Sequence, residues 1–137
     1  MSDDFSRYLI KEYAYWKIFL HPNQGYLGRC VLWCTRDDAF EITDATQEEQ
    51  EELFIILKNL RSALVKSFSP DWFNYSFLGN IDRHLHAHII PRYEKERTFE
   101  KIIFKDELYG KNYSTDIHFT VPDEVIMKIL GKIKENL

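Results

Sequence analysis

The sequence lacks any run of about 18 uninterrupted apolar residues, the minimum for a membrane span. It opens on Met-Ser-Asp-Asp-Phe-Ser-Arg, without the basic stretch and apolar run of a secretory leader. A basic excess is also missing: 18 lysines and arginines stand against 22 aspartates and glutamates, a net charge of −4. Proteins that live on a nucleic-acid duplex carry a basic stripe, so stable duplex binding is not expected. Small anionic ligands need only local positive groups and stay open. Cysteine is scarce, with two residues, Cys30 and Cys34, on one apolar segment. On a strand they would stand about 13 Å apart, beyond the roughly 7 Å between Cα atoms that a disulfide spans. They read as small hydrophobes in a reducing compartment. No internal repeat or low-complexity tract occurs. These absences point to a soluble cytoplasmic protein with no membrane partner.

What is present fits one domain over residues 1–137, since domains run to about 100–150 residues. Apolar residues make up 45% and charged residues 29%, a globular balance. Leu9 to Leu20 is rich in Tyr, Ile, Trp and Phe and predicts a short hairpin or bent strand. His21-Pro22-Asn23-Gln24-Gly25 is a turn cluster, and Gly28 to Thr35 is nearly continuous apolar, as in a central strand. Thr46-Gln-Glu-Glu49 has the form of a capping box. Behind it Leu53, Ile56, Leu57, Leu60, Ala63, Leu64 and Phe68 recur at helical spacing, until Ser69-Pro70 ends the helix. Trp72 to Leu78 and Arg83 to Tyr93 read as two further strands, with a turn at Gly79-Asn80 between them. Phe99 to Phe104 is strand or loop. A last helix begins near Pro122, with an apolar stripe from Val125 to Leu137. The expected fold is α+β: an antiparallel sheet of about five strands, one long helix packed on it, and a C-terminal helix.

Three of the five histidines fall in one run, His84-Leu85-His86-Ala87-His88-Ile89-Ile90. Side chains alternate along a strand, so the three imidazoles would share one face about 6.6 Å apart, with the apolar set beneath. Three readings of this pattern compete. It can be a polar strand face of solvated histidines. It can be a metal site, because His-x-His is a common ligand spacing. It can be a nucleophilic site: neutral imidazole offers a free lone pair near pH 7 and forms labile covalent intermediates. Flanking imidazoles would then polarise the target or protonate a leaving group, and no metal or other cofactor is needed.

The run His84-Leu-His-Ala-His-Ile-Ile, followed by Pro91-Arg92, resembles the histidine triad (HIT) signature. Asn74-Tyr75, Leu78-Gly79-Asn80, the stretch Asn23 to Val31 and Tyr109-Gly110-Lys111-Asn112-Tyr113 resemble a bacterial and archaeal branch of diadenosine polyphosphate hydrolases. The likeness is good over residues 9–92 and looser beyond, with 94–137 the divergent part. It implies a nucleotide hydrolase or transferase acting on dinucleoside polyphosphates or nucleoside phosphoramidates. By position His86 is the nucleophile toward the α-phosphorus, His88 holds phosphate or assists the leaving group, and His84 supports them. The resemblance puts Asn74, Asn80 and His21 at nucleotide contacts, with a purine base and a homodimer as expected partners. Trp16, Phe19 and Leu20 offer apolar walls to a base, although core packing is the simpler role for at least two of them. Many family members carry a further histidine where this chain has Arg29. That residue can neutralise a phosphate or serve as a structural cation, and it cannot relay a proton. The substitution keeps a nucleotide- or protein-binding module with little turnover as an alternative.

Overall fold

The computed structural model describes residues 3–137. Five strands form one antiparallel sheet: β1 (Leu9–Glu12), β2 (Trp16–Leu20), β3 (Cys30–Cys34), β4 (Trp72–Ser76) and β5 (His86–Arg92), in the spatial order β1-β2-β3-β5-β4. The helix α1 (Gln47–Phe68) connects β3 to β4, and α2 (Asp123–Asn136) closes the chain. This is the expected α+β arrangement, with the predicted hairpin at β1 and β2 and the predicted long helix in place.

Alternation along each strand divides the sheet into two faces. Ile18 and Leu20 of β2, Leu32 of β3, and Ala87 and Ile89 of β5 are buried in one cluster with Leu53, Ile56, Leu60 and Leu64 of α1. Replacing a fully enclosed leucine such as Leu60 with alanine would cost about 2–5 kcal/mol. The helix starts where the capping box predicts: Glu49 N–H donates to Thr46 Oγ1 at 3.1 Å, and Thr46 N–H donates to Glu49 Oε1 at 2.8 Å. It ends at Ser69, whose φ of 51° leaves the helical region. Gly28, with φ of 88°, lets α1 settle on the sheet; a Cβ there would stand 2.9 Å from Leu64 Cδ2. The helix α2 packs along α1 and β1 through Val125, Ile126, Ile129 and Ile133.

One local reading changes and one left open is resolved. The strand expected over Arg83 to Tyr93 begins at His86, because His84 N–H turns back to the Asp82 carbonyl and Leu85 N–H bonds Ala39 O. His84 therefore precedes the strand, and the three histidines do not form one evenly spaced row. Phe99 to Phe104 belongs to a separate hairpin of β6 (Arg97–Phe99) and β7 (Ile102–Phe104). Its turn residues Glu100 and Lys101 both have positive φ, 50° and 66°, a primed turn without the usual Asn-Gly signal. Cys30 and Cys34 are both buried and unbridged within β3.

The chain from 105 to 121 runs back over the sheet face opposite α1. Arg92 anchors it through its guanidinium donors: Nε and Nη2 to Asp106, Nη1 to Asn74 Oδ1 and Lys111 O, and Nη2 also to Leu108 O. The ring of Tyr26 lies 5.2 Å from the same guanidinium.

Candidate active site

The face opposite α1 carries His86 and His88 from β5. The register sets Trp33 of β3 beside His86 and Val31 beside His88, while Ser76 of β4 lies across from His88 on the other side. His21 and Arg29 continue this face at the ends of β2 and β3, joined by the His21 amide to the Arg29 carbonyl at 3.0 Å. Seen from His86 along the sheet, the order is His86, His88, then the His21–Arg29 pair.

Hydrogen bonds orient each imidazole. His86 Nδ1 lies 2.6 Å from the His84 carbonyl oxygen. A carbonyl only accepts, so Nδ1 carries the proton and Nε2 keeps its lone pair. His84 Nε2 donates to Cys34 O at 2.6 Å, and its ring stacks on Trp33 at 4.1 Å. Trp33 also lies 5.3 Å from the His86 ring, so one indole braces both. The His86 and His88 rings are 5.2 Å apart and nearly perpendicular. His21 Nδ1 accepts from Asn23 N–H at 2.9 Å, which leaves the proton on Nε2. Its ring is 6.0 Å from that of His88.

Burial, Arg29 and His86 lower the pKa of His88 to about 4. Burial, Arg29 and His88 lower that of His21 to about 3. Both imidazoles are neutral at pH 7. Arg29 is only 4% exposed and forms no ion pair with a carboxylate among the described residues. Its Nη1 donates to Thr115 Oγ1 at 2.8 Å, and Tyr113 lies under the guanidinium at 5.6 Å. Its Nε and the Nδ1 of His88 are buried without partners. The site thus holds a buried positive charge with no internal counter-charge, although the whole chain is acidic.

The other expected contacts divide. Asn80 is exposed in the turn after Gly79, whose φ is 63°. Asn74 lies on the histidine face, but its Oδ1 accepts from Arg92 at 2.7 Å and so belongs to the anchor of the 105–121 segment. Leu20 is corrected: it is fully enclosed in the core with Trp16, on the face toward α1, because even-numbered residues of β2 point there. Lys17 and Phe19 are the β2 residues that share the face of the histidines, opposite Trp33 and Val31 in the register. Trp33, Ser76, Tyr113 and Thr115 join the site beyond the expected set. Alternation along Gly28 to Thr35 is enough to find Trp33, and alternation from Asn74 finds Ser76. Tyr113 closes the Tyr109-Gly110-Lys111-Asn112-Tyr113 stretch, and no local pattern marks Thr115.

The buried Arg29 guanidinium beside His88 and His21 disfavours a cation at that end of the site. Among the described residues, no group of three or more His, Cys, Asp or Glu side chains is placed to hold one. A cleft of about 750 Å3 opens along β4 beside the site, lined in part by Asn74, Ser76, Tyr109, Lys111 and Tyr113.

Residues 16–95, more than half of the chain, match the HIT domain family. Among solved structures, a histidine triad protein from Sinorhizobium meliloti 1021 is similar at 22% identity. The match covers 100% of this chain and 96% of that one, with a TM-score of 0.74. A histidine triad protein from Marinobacter aquaeolei VT8 is similar at 19% identity, covering 100% and 94%, with a TM-score of 0.73. A hypothetical histidine triad nucleotide-binding protein from Sulfolobus tokodaii strain7 is similar at 18% identity, covering 94% and 82%, with a TM-score of 0.69. A comparison with curated proteins returns no match. No helix among the described residues is long and apolar enough to cross a membrane.

Proposed function

The chain belongs to the HIT domain family, and from that premise we propose that it is a nucleotide hydrolase or transferase working through His86. The observation that carries this reading is the 2.6 Å contact from His86 Nδ1 to the His84 carbonyl. It fixes the tautomer of the neutral ring so that the lone pair lies on Nε2, rigidly held, the condition for attack on phosphorus. The substrate is a dinucleoside polyphosphate or a nucleoside phosphoramidate, with a purine as the expected base.

Nε2 attacks the α-phosphorus and forms an N–P bond. The bond from phosphorus to the leaving group breaks, and its electron pair departs with that group. Water then attacks the nucleotidyl-histidine. The N–P bond breaks, its electron pair returns to Nε2, and a proton passes to solvent as the nucleoside monophosphate leaves. No metal or cofactor enters these steps. His88 flanks the phosphate, and His84 supports the nucleophile through its carbonyl. His21 offers its Nε2–H to a sugar hydroxyl or phosphate oxygen. Arg29 supplies fixed positive charge. Asn80, exposed on its turn, is free to swing toward a phosphate oxygen, and Asn74 keeps its amide N–H donors for a ligand.

We further propose a homodimer. The outer edge of β4 has no strand partner among the described residues, and its Trp72 and Tyr75 are exposed. Phe54 and Ile55 stand out from α1 at 63% and 59% exposure. A second reading, a binding module with little turnover, draws on Arg29 in the position where many family members have histidine.

The test is incubation with diadenosine tetraphosphate and with adenosine phosphoramidate in excess EDTA, followed by chromatography. Release of AMP supports the metal-free hydrolase. Absence of product from both, with the protein folded, overturns it; nucleotide binding in that case favours the module.

A further inference from the structure

Arg29 is a buried guanidinium whose only direct partners among the described residues are a threonine hydroxyl and a tyrosine ring, both from the 105–121 segment. Tyr113 is itself fixed, its hydroxyl 2.7 Å from Ser76 Oγ on β4. The neighbouring Ser114 is fastened too, by Tyr26: its N–H donates to the Tyr26 hydroxyl at 3.0 Å, and that hydroxyl donates to Ser114 O at 3.1 Å. The segment therefore holds Arg29 rigidly and leaves its charge unneutralised. All of its residues lie outside the part of the chain that matches the family.

The direction in which Arg29 lies matters for the chemistry. A displacement at phosphorus places the leaving group opposite the nucleophile. From His86, the far side is occupied by His88 and then by the His21–Arg29 pair. A polyphosphate departs as an anion: the P–O bond breaks, the electron pair stays on oxygen, and no proton is required. An amine from a phosphoramidate departs differently, because nitrogen must take a proton as the P–N bond breaks. A guanidinium stabilises the first and cannot supply the proton for the second. His88 and His21 are neutral at pH 7 and are poor sources of that proton.

We propose that Arg29, positioned by Thr115 and Tyr113, selects substrates whose leaving group departs as a phosphate anion over those whose leaving group must be protonated. The inference rests on the hydrolase reading above and narrows it to the dinucleoside polyphosphates.

The experiment measures kcat/KM for diadenosine tetraphosphate and adenosine phosphoramidate, and compares their ratio across variants. The ratio does not depend on the fraction of folded protein. The wild type favours the tetraphosphate. Arg29→Met lowers the ratio by about tenfold or more, the scale of one lost charge-assisted contact, while Arg29→Lys retains most of it. Arg29→His, which removes the fixed charge, lowers it as Arg29→Met does. Thr115→Val lowers the ratio in the same direction by a smaller factor, and Thr115→Ser restores it. An unchanged ratio in Arg29→Met, Arg29→His and Thr115→Val, with both substrates still cleaved, overturns the inference and leaves the hydrolase reading standing. A wild type that cleaves neither substrate overturns both.

Discussion

His86 Nδ1 and the main-chain oxygen of His84 stand 2.6 Å apart, so the first histidine of the motif orients the second through its backbone and not through its ring. The His84 ring acts elsewhere, capping the Cys34 carbonyl and stacking on Trp33. Substitution of the two residues should therefore have unequal effects. His86→Ala is expected to lower kcat by on the order of 1000-fold or more while nucleotide binding persists, as for removal of a nucleophile. His84→Ala keeps the carbonyl and should cost only about tenfold. Steady-state kinetics with a parallel binding titration checks this; equal losses would contradict the division of roles.

The neutral imidazoles give a pH signature. An unfolded histidine titrates near 6.5, but His88 titrates at about 4 and His21 at about 3 in the fold. Below pH 6.5 the unfolded chain takes up protons that the folded chain refuses. Stability is therefore full above pH 6.5 and falls as pH drops from 6.5 toward 4 and 3. Thermal unfolding from pH 7.5 to 4.5 should show this decline, and His88→Asn should make it shallower. A wild-type Tm that stays flat through the window would rule the effect out.

The Arg92–Asp106 pair is buried at both ends. Asp106→Ala leaves the guanidinium without its counter-charge, a loss of about 3–5 kcal/mol. The expected drop in Tm is on the order of 10 °C, given the size of the chain. The 105–121 segment should also become sensitive to limited proteolysis, because Asp106 also accepts from the backbone N–H groups of Tyr93 and Leu108. Resistance equal to the wild type would show that the segment is held by other means.

Exposed apolar side chains on α1 and β4 set an expectation for assembly. Light scattering should give twice the 16.5 kDa mass of one chain. Phe54→Glu, which places a charge at a 63% exposed apolar position, should shift the population to single chains without lowering the helix content. A wild-type mass of one chain would refute the homodimer.

The sequence is most readable where one local rule acts alone. The capping box at Thr46 and Glu49 and the stop at Ser69 locate α1 almost to the residue. Alternation correctly sets His86 and His88 opposite Ala87 and Ile89. Its reach ends short of His84, because nothing local announces that this residue turns back on Asp82. At β2 the parity of Trp16, Ile18 and Leu20 assigns Leu20 to the core and Phe19 to the other face, against the expectation of a base contact at Leu20. The hairpin at Glu100 and Lys101 escapes because neither residue favours positive φ. Arg29 is visible as a substitution in a motif, yet the groups that hold its guanidinium, Thr115 and Tyr113, lie more than 80 positions away. Such partners are set by the tertiary path of the chain and leave no periodic trace.

Gly28 makes the two faces of the sheet a single mechanical part. Its missing side chain lets Leu64 and Phe68 rest directly on the backbone, and the next residue along that backbone presents its guanidinium on the opposite side. The same peptide is floor to the hydrophobic interior and wall to the proposed site. A methyl group added there would push on α1, and the recoil would reach Arg29 one residue later. A lesion in packing at this position would then masquerade as a lesion in substrate choice.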